Sequence, residues 1–191
     1  MFDCALYYGR KAREKSRIIE LLNLEEKKYA LVTIHRAENT DDMERLDGIL
    51  SALEEMSEHL PIVLPLHPRT RKIIDSKWPE RMNKRVICTE PVSYLDMSRL
   101  EQSASIILTD SGGVQKEAYF YHIPCITLRD ETEWVETLTG GWNILAGADT
   151  INILKRFLAI ISSNPFAQQD PPNFYGNGKA SNLILDIIVN Q

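Results

Sequence analysis

Four short polar clusters interrupt the apolar runs of this 191-residue chain, and each carries groups able to bind an anion or move a proton. Asp110-Ser111-Gly112-Gly113 follows the apolar run SIILT and precedes the helix-like VQKEAYFY. A strand, then Ser-Gly-Gly, then a helix gathers unpaired backbone N–H groups and the positive end of the helix dipole at one point. Two glycines remove the Cβ atoms that would hold a phosphate away from the backbone, and Ser111 adds a hydroxyl. Glu117 stands about one turn into that helix. Side chains lean toward a helix N-terminus, so its carboxylate can reach back toward the same ligand. It would repel a phosphate but accept hydrogen bonds from two vicinal ribose hydroxyls, a combination that suits a nucleoside diphosphate. The same residues also fit a tight strand-to-helix turn without a ligand. The cluster is not a P-loop, since no G-x-x-x-x-G-K-[ST] occurs.

His35-Arg36-Ala37-Glu38-Asn39 packs two potential cations, a carboxylate and an amide behind another apolar run. His35 could act as acid, base or phosphate contact, and Arg36 could neutralise a diphosphate. An ordinary polar loop with one capping residue is the plainer alternative. His67-Pro68-Arg69 is weaker: Pro68 fixes the chain and could aim His67 into a cleft, or the segment simply ends a strand. In Arg129-Asp130-Glu131-Thr132-Glu133, Arg129 could hold a phosphate and Glu133 a sugar hydroxyl, with a solvated loop as the alternative. His59 reads as a surface residue, His122 as structural, and Trp78, Trp134 and Trp142 as packing residues.

The elements that must position these clusters alternate. Strands are expected at 29–34, 62–66, 85–89 and 105–109, then at 123–128, with a weaker one at 143–146. Helical spacing covers 3–23. Asp41 or Asp42 caps a helix running to about 58. Further helices are expected at 69–78, at 94–102 with Ser93 as cap, at 114–121, at 150–163 and at about 180–189. The stretch 164–179 is polar and rich in Pro and Gly, hence a loop. This α/β alternation implies a single Rossmann-like, doubly wound, mostly parallel sheet. Ligands of such sheets bind at the carboxyl ends of the strands, where all four clusters fall.

Composition narrows the classes. Lys plus Arg number 22 and Asp plus Glu 27, a formal net charge of −5. That balance argues against nucleic acid or an anionic membrane as partner. Cys4, Cys88 and Cys125 are odd in number and widely spaced, so neither a disulfide framework nor a zinc site is expected, and a cytoplasmic location fits. No apolar run reaches the ~18 residues of a membrane span, and no signal peptide is read at the N-terminus.

Taken together, TIHRAEN, LPLHPRT, PVSYLDM, LTDSGGVQKEA, RDETEWVET and NFYGNGKASNLILDII resemble the non-hydrolysing UDP-N-acetylglucosamine 2-epimerases, from about residue 3 to 189. The resemblance is to the C-terminal domain only, one half of a glycosyltransferase-B-like pair of Rossmann-like domains. It implies a reaction that inverts C2 of UDP-N-acetylglucosamine to give UDP-N-acetylmannosamine, by elimination of UDP and re-addition, without metal or NAD. Residues 1–28 would then be a leading helix from the interdomain region, 29–165 the UDP-binding domain, and 166–191 a loop and C-terminal helix. Ser111, Gly112 and Gly113 would hold the diphosphate and Glu117 the ribose. The backbone near Met97 would meet uracil. His35, as the catalytic candidate, would sit by the phosphates and reacting sugar with Arg36, Glu38, His67, Arg129 and Glu133. UDP and UDP-N-acetylhexosamine are the implied ligands and an N-terminal Rossmann-like domain the implied partner, with a homodimer as a further possible assembly. Without that domain, which in the family carries the carboxylates for the C2 proton, the chain is expected to be inactive. Two positions depart from the family pattern: Ala37 where many bacterial members have Arg, and Trp134-Val135 where many have Arg-Pro. A glycosyltransferase donor-binding domain and a non-catalytic nucleotide-sugar sensor are the alternatives.

Overall fold

The computed structural model describes residues 1–78, 85–163, 166 and 169–190. In chain order the elements are α1 (Phe2–Lys15), α2 (Ile18–Leu21), β1 (Ala30–Thr33), α3 (Ala37–Thr40), α4 (Met43–Met56), β2 (Ile62–Pro65), α5 (Pro68–Lys77) and β3 (Val86–Thr89). They continue with α6 (Tyr94–Ser103), β4 (Ile106–Thr109), α7 (Gly112–Phe120), β5 (Cys125–Thr127), a 3-10 turn at Val135–Gly141, β6 (Asn143–Leu145), α8 (Thr150–Ser163) and α9 (Ala180–Val189).

The runs of β1, β2, β4 and β5 are short and apolar because both faces of these strands are buried, while the edge strands β3 and β6 are partly buried. Along β1, Ala30 and Val32 enter one core layer and Leu31 the other, and the same alternation separates Ile62 and Leu64 from Val63 and Ile106 and Leu108 from Ile107. The first layer is closed by α4 and α8, through Leu46, Ile49, Leu50 and Leu53 and through Ile153, Phe157 and Ile160. These residues recur at the three- and four-residue spacing of a helix face. The second layer is closed by Leu100 of α6 and Ala118 of α7. The sheet order is β3-β2-β1-β4-β5-β6, with every neighbouring pair parallel. The order reverses between β1 and β4, where the register sets Thr33 opposite Thr109. Their hydroxyls meet at 2.5 Å. The loops leaving β1 and β4 therefore diverge from one point and open a crevice at the carboxyl edge.

Three sequence expectations need correction. The helical stretch 3–23 is broken: Ser16 is extended (φ −78, ψ 137), and its hydroxyl donates to Asp96 Oδ1 of α6 at 2.5 Å, so α2 starts on a new axis. The loop after β1 contains a helical turn, α3, whose Asn39 and Thr40 are buried. The helix after the glycine pair begins at Gly112 rather than at 114. The expected loop 164–179 lies in part, at 164, 165, 167 and 168, outside the described residues.

Of the two candidate caps for α4, Asp42 is used; it accepts from the backbone N–H groups of Glu44 at 2.9 Å and Arg45 at 3.1 Å. Asp42→Ala is expected to cost about 1 kcal/mol, read as a lowered urea midpoint with unchanged slope. Ser93 caps α6 as expected, accepting from Asp96 N. The helix α9 has no buried residue; Leu183, Ile184, Leu185, Ile187, Ile188 and Val189 are all exposed. Among the described residues no helix is long and apolar enough to cross a membrane.

Candidate functional site

Asp110 ends β4 at the switch point and is fully buried. Its carboxylate accepts from the backbone N–H groups of His35 (3.1 Å) and Arg36 (3.0 Å) and from Asn39 Nδ2 (3.2 Å). Asn39 Nδ2 also donates to the Leu128 carbonyl at 2.9 Å, so one carboxylate and one amide bind together the ends of β1, β4 and β5. His35 Nδ1 lies 3.1 Å from Asp110 Oδ1. Burial pushes the Asp110 carboxyl up, but the His35 imidazole and the two backbone amides outweigh it, and the group lies below its ordinary value. The Asp110 hydrogen bond raises His35 above its ordinary value. With Nδ1 committed to Asp110, the half-exposed ring has Nε2 left for a ligand.

Directly after Asp110, Ser111 is extended and caps α7, its Oγ 3.5 Å from Val114 N. The amides of Gly112 and Gly113 occupy the first turn, where a helix supplies no acceptor. The two glycines differ in what demands them. A Cβ on Gly112 would come 2.8 Å from Trp134 Nε1, so the indole requires a glycine there. A Cβ on Gly113 would meet nothing nearer than Ser111 Oγ at 3.7 Å and Met1 Cε at 3.9 Å. One turn on, Glu117 is 8% exposed and accepts a hydrogen bond from Tyr94 Oη of α6 at 2.9 Å. Gln115, fully buried, accepts from Thr132 Oγ1 at 2.6 Å and so ties α7 to the loop after β5.

That loop is not solvated throughout. Arg129 is 5% exposed; its Nη1 meets Glu133 Oε2 at 2.8 Å and its Nε lies 3.7 Å from Glu38 Oε2. Arg36 Nη2 stands 3.7 Å from the other Glu133 oxygen, and Arg45 joins Glu38 (3.4 Å) to Asp130 (2.9 Å). The Arg129 guanidinium holds the Glu133 carboxyl down at about 2. Arg36, Glu38, Arg129 and Glu133 thus form one alternating charge network beside His35. Arg36 is its most loosely held cation, and an incoming phosphate could take it from Glu133 without breaking a short contact.

The other two expected site residues stand apart from this network. His67 caps α5, its Nδ1 accepting from Arg69 N at 3.3 Å. Met97 is partly buried against the second core layer, and its backbone N–H donates to the Ser93 carbonyl at 2.8 Å within α6. Sequence reasoning did not single out Asp110 as the tie between strands, nor Asn39, Tyr94, Glu101 and Gln115. Tyr94 and Glu101 lie seven residues apart, two turns on one helix face, and that spacing was the available signal. Among the described residues, no group of three or more His, Cys, Asp or Glu is arranged to hold a metal ion.

Comparison with known proteins bears on this geometry. Residues 1–189 match the family model described as UDP-N-acetylglucosamine 2-epimerase. A UDP-N-acetylglucosamine 2-epimerase homolog of Methanococcus maripaludis is 44% identical over all of this chain and 53% of its own length. The UDP-2,3-diacetamido-2,3-dideoxy-D-glucuronate 2-epimerase of Pseudomonas aeruginosa is 41% identical over 98% of the chain and 50% of its own. The crystal structure of Methanocaldococcus jannaschii UDP-GlcNAc 2-epimerase in complex with UDP-GlcNAc and UDP superposes on the whole chain with a TM-score of 0.84 and 36% identity, over 53% of that structure. The chain therefore spans about half the length of the curated relatives it matches.

Proposed function

This chain belongs to the UDP-N-acetylglucosamine 2-epimerase family, and from that premise we propose that it is the nucleotide-sugar-binding half of an isomerase interconverting UDP-N-acetylglucosamine and UDP-N-acetylmannosamine. The observation that carries the reading is the first turn of α7 at the sheet's switch point, where a Cβ on Gly113 would meet nothing nearer than Ser111 Oγ at 3.7 Å. Ser111, Gly112 and Gly113 hold the diphosphate with backbone and hydroxyl donors. Glu117 accepts from the ribose hydroxyls, and the backbone near Met97 borders the uracil. Arg129 and Glu133 set the sugar-side wall together with Glu38, and His67 stands at its rim.

In the reaction, a base removes the C2 proton, the C1–O bond breaks, and UDP departs from a glycal. Negative charge gathers on the β-phosphate as it leaves. A cationic His35, held over Asp110, and the loosely held Arg36 are the groups that stabilise it. Return of a proton to the opposite face of C2 and re-addition of UDP complete the inversion. The base belongs to the remainder of the longer relatives' chain, so the present chain alone binds without turnover. The apolar side chains of α9, exposed among the described residues, support a further domain that packs on this one.

The Pseudomonas relative supports a second reading of the sugar alone. Its name specifies the same nucleotide and the same carbon, with a different C3 and C6. Isothermal titration of the chain is expected to give UDP binding at least about tenfold tighter than ADP, the discrimination that base-specific hydrogen bonds provide. Equal binding of UDP and ADP, or no binding of either, would sink the proposal. Rapid epimerisation of UDP-N-acetylglucosamine by the chain alone would show that the base lies within it.

A further inference from the structure

Glu101, on α6, is fully buried, and neither of its carboxylate oxygens accepts a hydrogen bond from a donor group among the described residues. An ionised carboxylate so placed is costly. Its partner is another acid. Glu117, across on α7, lies within hydrogen-bonding reach of Glu101 and also accepts from Tyr94 Oη at 2.9 Å. Two carboxyl groups bond to each other only when one of them keeps a proton. Burial first, and then the charge of Glu117, push Glu101 well above the ordinary carboxylate range, so Glu101 is the acid that donates. Burial raises Glu117 too, but Tyr94, Glu101 and Lys116 work to keep it ionised.

We infer that Glu101 is a positioning residue for nucleoside recognition: its buried carboxylic O–H donates to Glu117 and, with Tyr94, fixes that carboxylate so that its remaining lone pairs meet the two ribose hydroxyls. This rests on the reading of Glu117 as the ribose acceptor. A carboxylate offers about four acceptor sites. Tyr94 and Glu101 fill two and a 2′,3′-diol fills the other two, so the count closes without an orphaned proton. The titratable groups around Glu101 are Glu117 and Tyr121 of α7, Tyr94 on its own helix, Tyr29 before β1 and Cys125 of β5. Arg99 and Glu26 act on Tyr29, Arg13 on Tyr121 and Lys116 on Glu117. Burial raises Tyr29, Tyr94, Tyr121 and Cys125, which leaves the carboxyl pair as the group that titrates first as pH increases.

The test compares UDP with 2′,3′-dideoxy-UDP on the 191-residue chain and on Glu101→Met and Glu101→Gln. The wild type is expected to prefer UDP by about tenfold or more, the worth of hydrogen bonds to a charged acceptor. Glu101→Met should lose most of that preference while its affinity for the dideoxy analogue changes less than about threefold. Glu101→Gln, whose amide still donates, should keep the preference. As pH rises through the titration of the pair, the UDP-to-dideoxy-UDP ratio should fall in the wild type and stay level in Glu101→Gln; the ratio cancels the titrations of phosphate and uracil. A full preference in Glu101→Met, equal loss of both ligands in both variants, or a Glu101→Gln ratio that falls with pH as the wild type's does, would each overturn the inference. A wild-type chain that binds UDP well but does not distinguish the two ligands would overturn the ribose role of Glu117 itself, a separate result from a failure of UDP binding.

Discussion

Asp110→Ala is expected to lower the unfolding free energy of the chain by about 3–5 kcal/mol, the loss typical of breaking a buried, hydrogen-bonded charge. The change removes the common acceptor of His35 N, Arg36 N and Asn39 Nδ2; the two backbone N–H groups lose the acceptor that holds them, and Asn39 Nδ2 keeps only the Leu128 carbonyl. Urea denaturation with a fixed slope measures it. The pH profile gives an independent check. Asp110 lies below its ordinary value in the fold, so its contribution is complete above about pH 4 and is lost as acid protonates it. His35 lies above its ordinary value, so its contribution is complete below about pH 6.5 and is lost as the imidazole deprotonates on the alkaline side. The wild type should carry extra stability between those limits, and Asp110→Ala should flatten both flanks. A variant as stable as the wild type at pH 5 would mean that the loop after β1 is held by something other than this carboxylate. Uridine-nucleotide affinity should fall with it, because the same bonds aim His35 and Arg36.

Much of the scaffold that holds Asp110 is legible in the chain. The strand runs are apolar without polar alternation, as burial on two faces requires, and β1 to β6 fall within a residue or two of the runs YALVTI to NILA. The cap Ser93 is legible, and Asp42 is one of the two adjacent candidates, because a short acceptor side chain ahead of an apolar period has few other uses there. What is not legible is decided across elements. Apolar spacing continues from Ala12 to Ile18 and Ile19, and only the bond from Ser16 to Asp96, 80 residues away, shows why the helix stops between them. Glu38-Asn39 reads as loop because nothing local says that Asn39 is buried to reach Asp110 and Leu128. The Arg129 cluster reads either as a phosphate contact or as a solvated loop, because the burial of Arg129 depends on Glu38 arriving from the loop after β1. The position of the glycine pair is plain in the sequence, whereas the separate reasons for its two glycines appear only in three dimensions.

Those separate reasons give a sharp test of the anion site. Gly112→Ala would drive a methyl group into the indole of Trp134, so a loss of function there would confound packing with binding. Gly113→Ala does not have that difficulty. The added carbon meets only ordinary contacts, the residue is helical with negative φ, and replacing a helical glycine by alanine gains up to about 0.5–1 kcal/mol. The chain should therefore unfold at an equal or higher urea concentration. If a phosphate approaches the first turn of α7 as the proposed function requires, the same methyl stands between it and the amides, and UDP affinity should drop by about 30-fold or more, the worth of one or two charge-assisted hydrogen bonds. Stability and binding then move in opposite directions, a combination that neither a misfolded variant nor an idle strand-to-helix turn can give. Gly113→Ala with wild-type UDP affinity would leave the second glycine without a ligand to explain it, and would move the diphosphate away from α7.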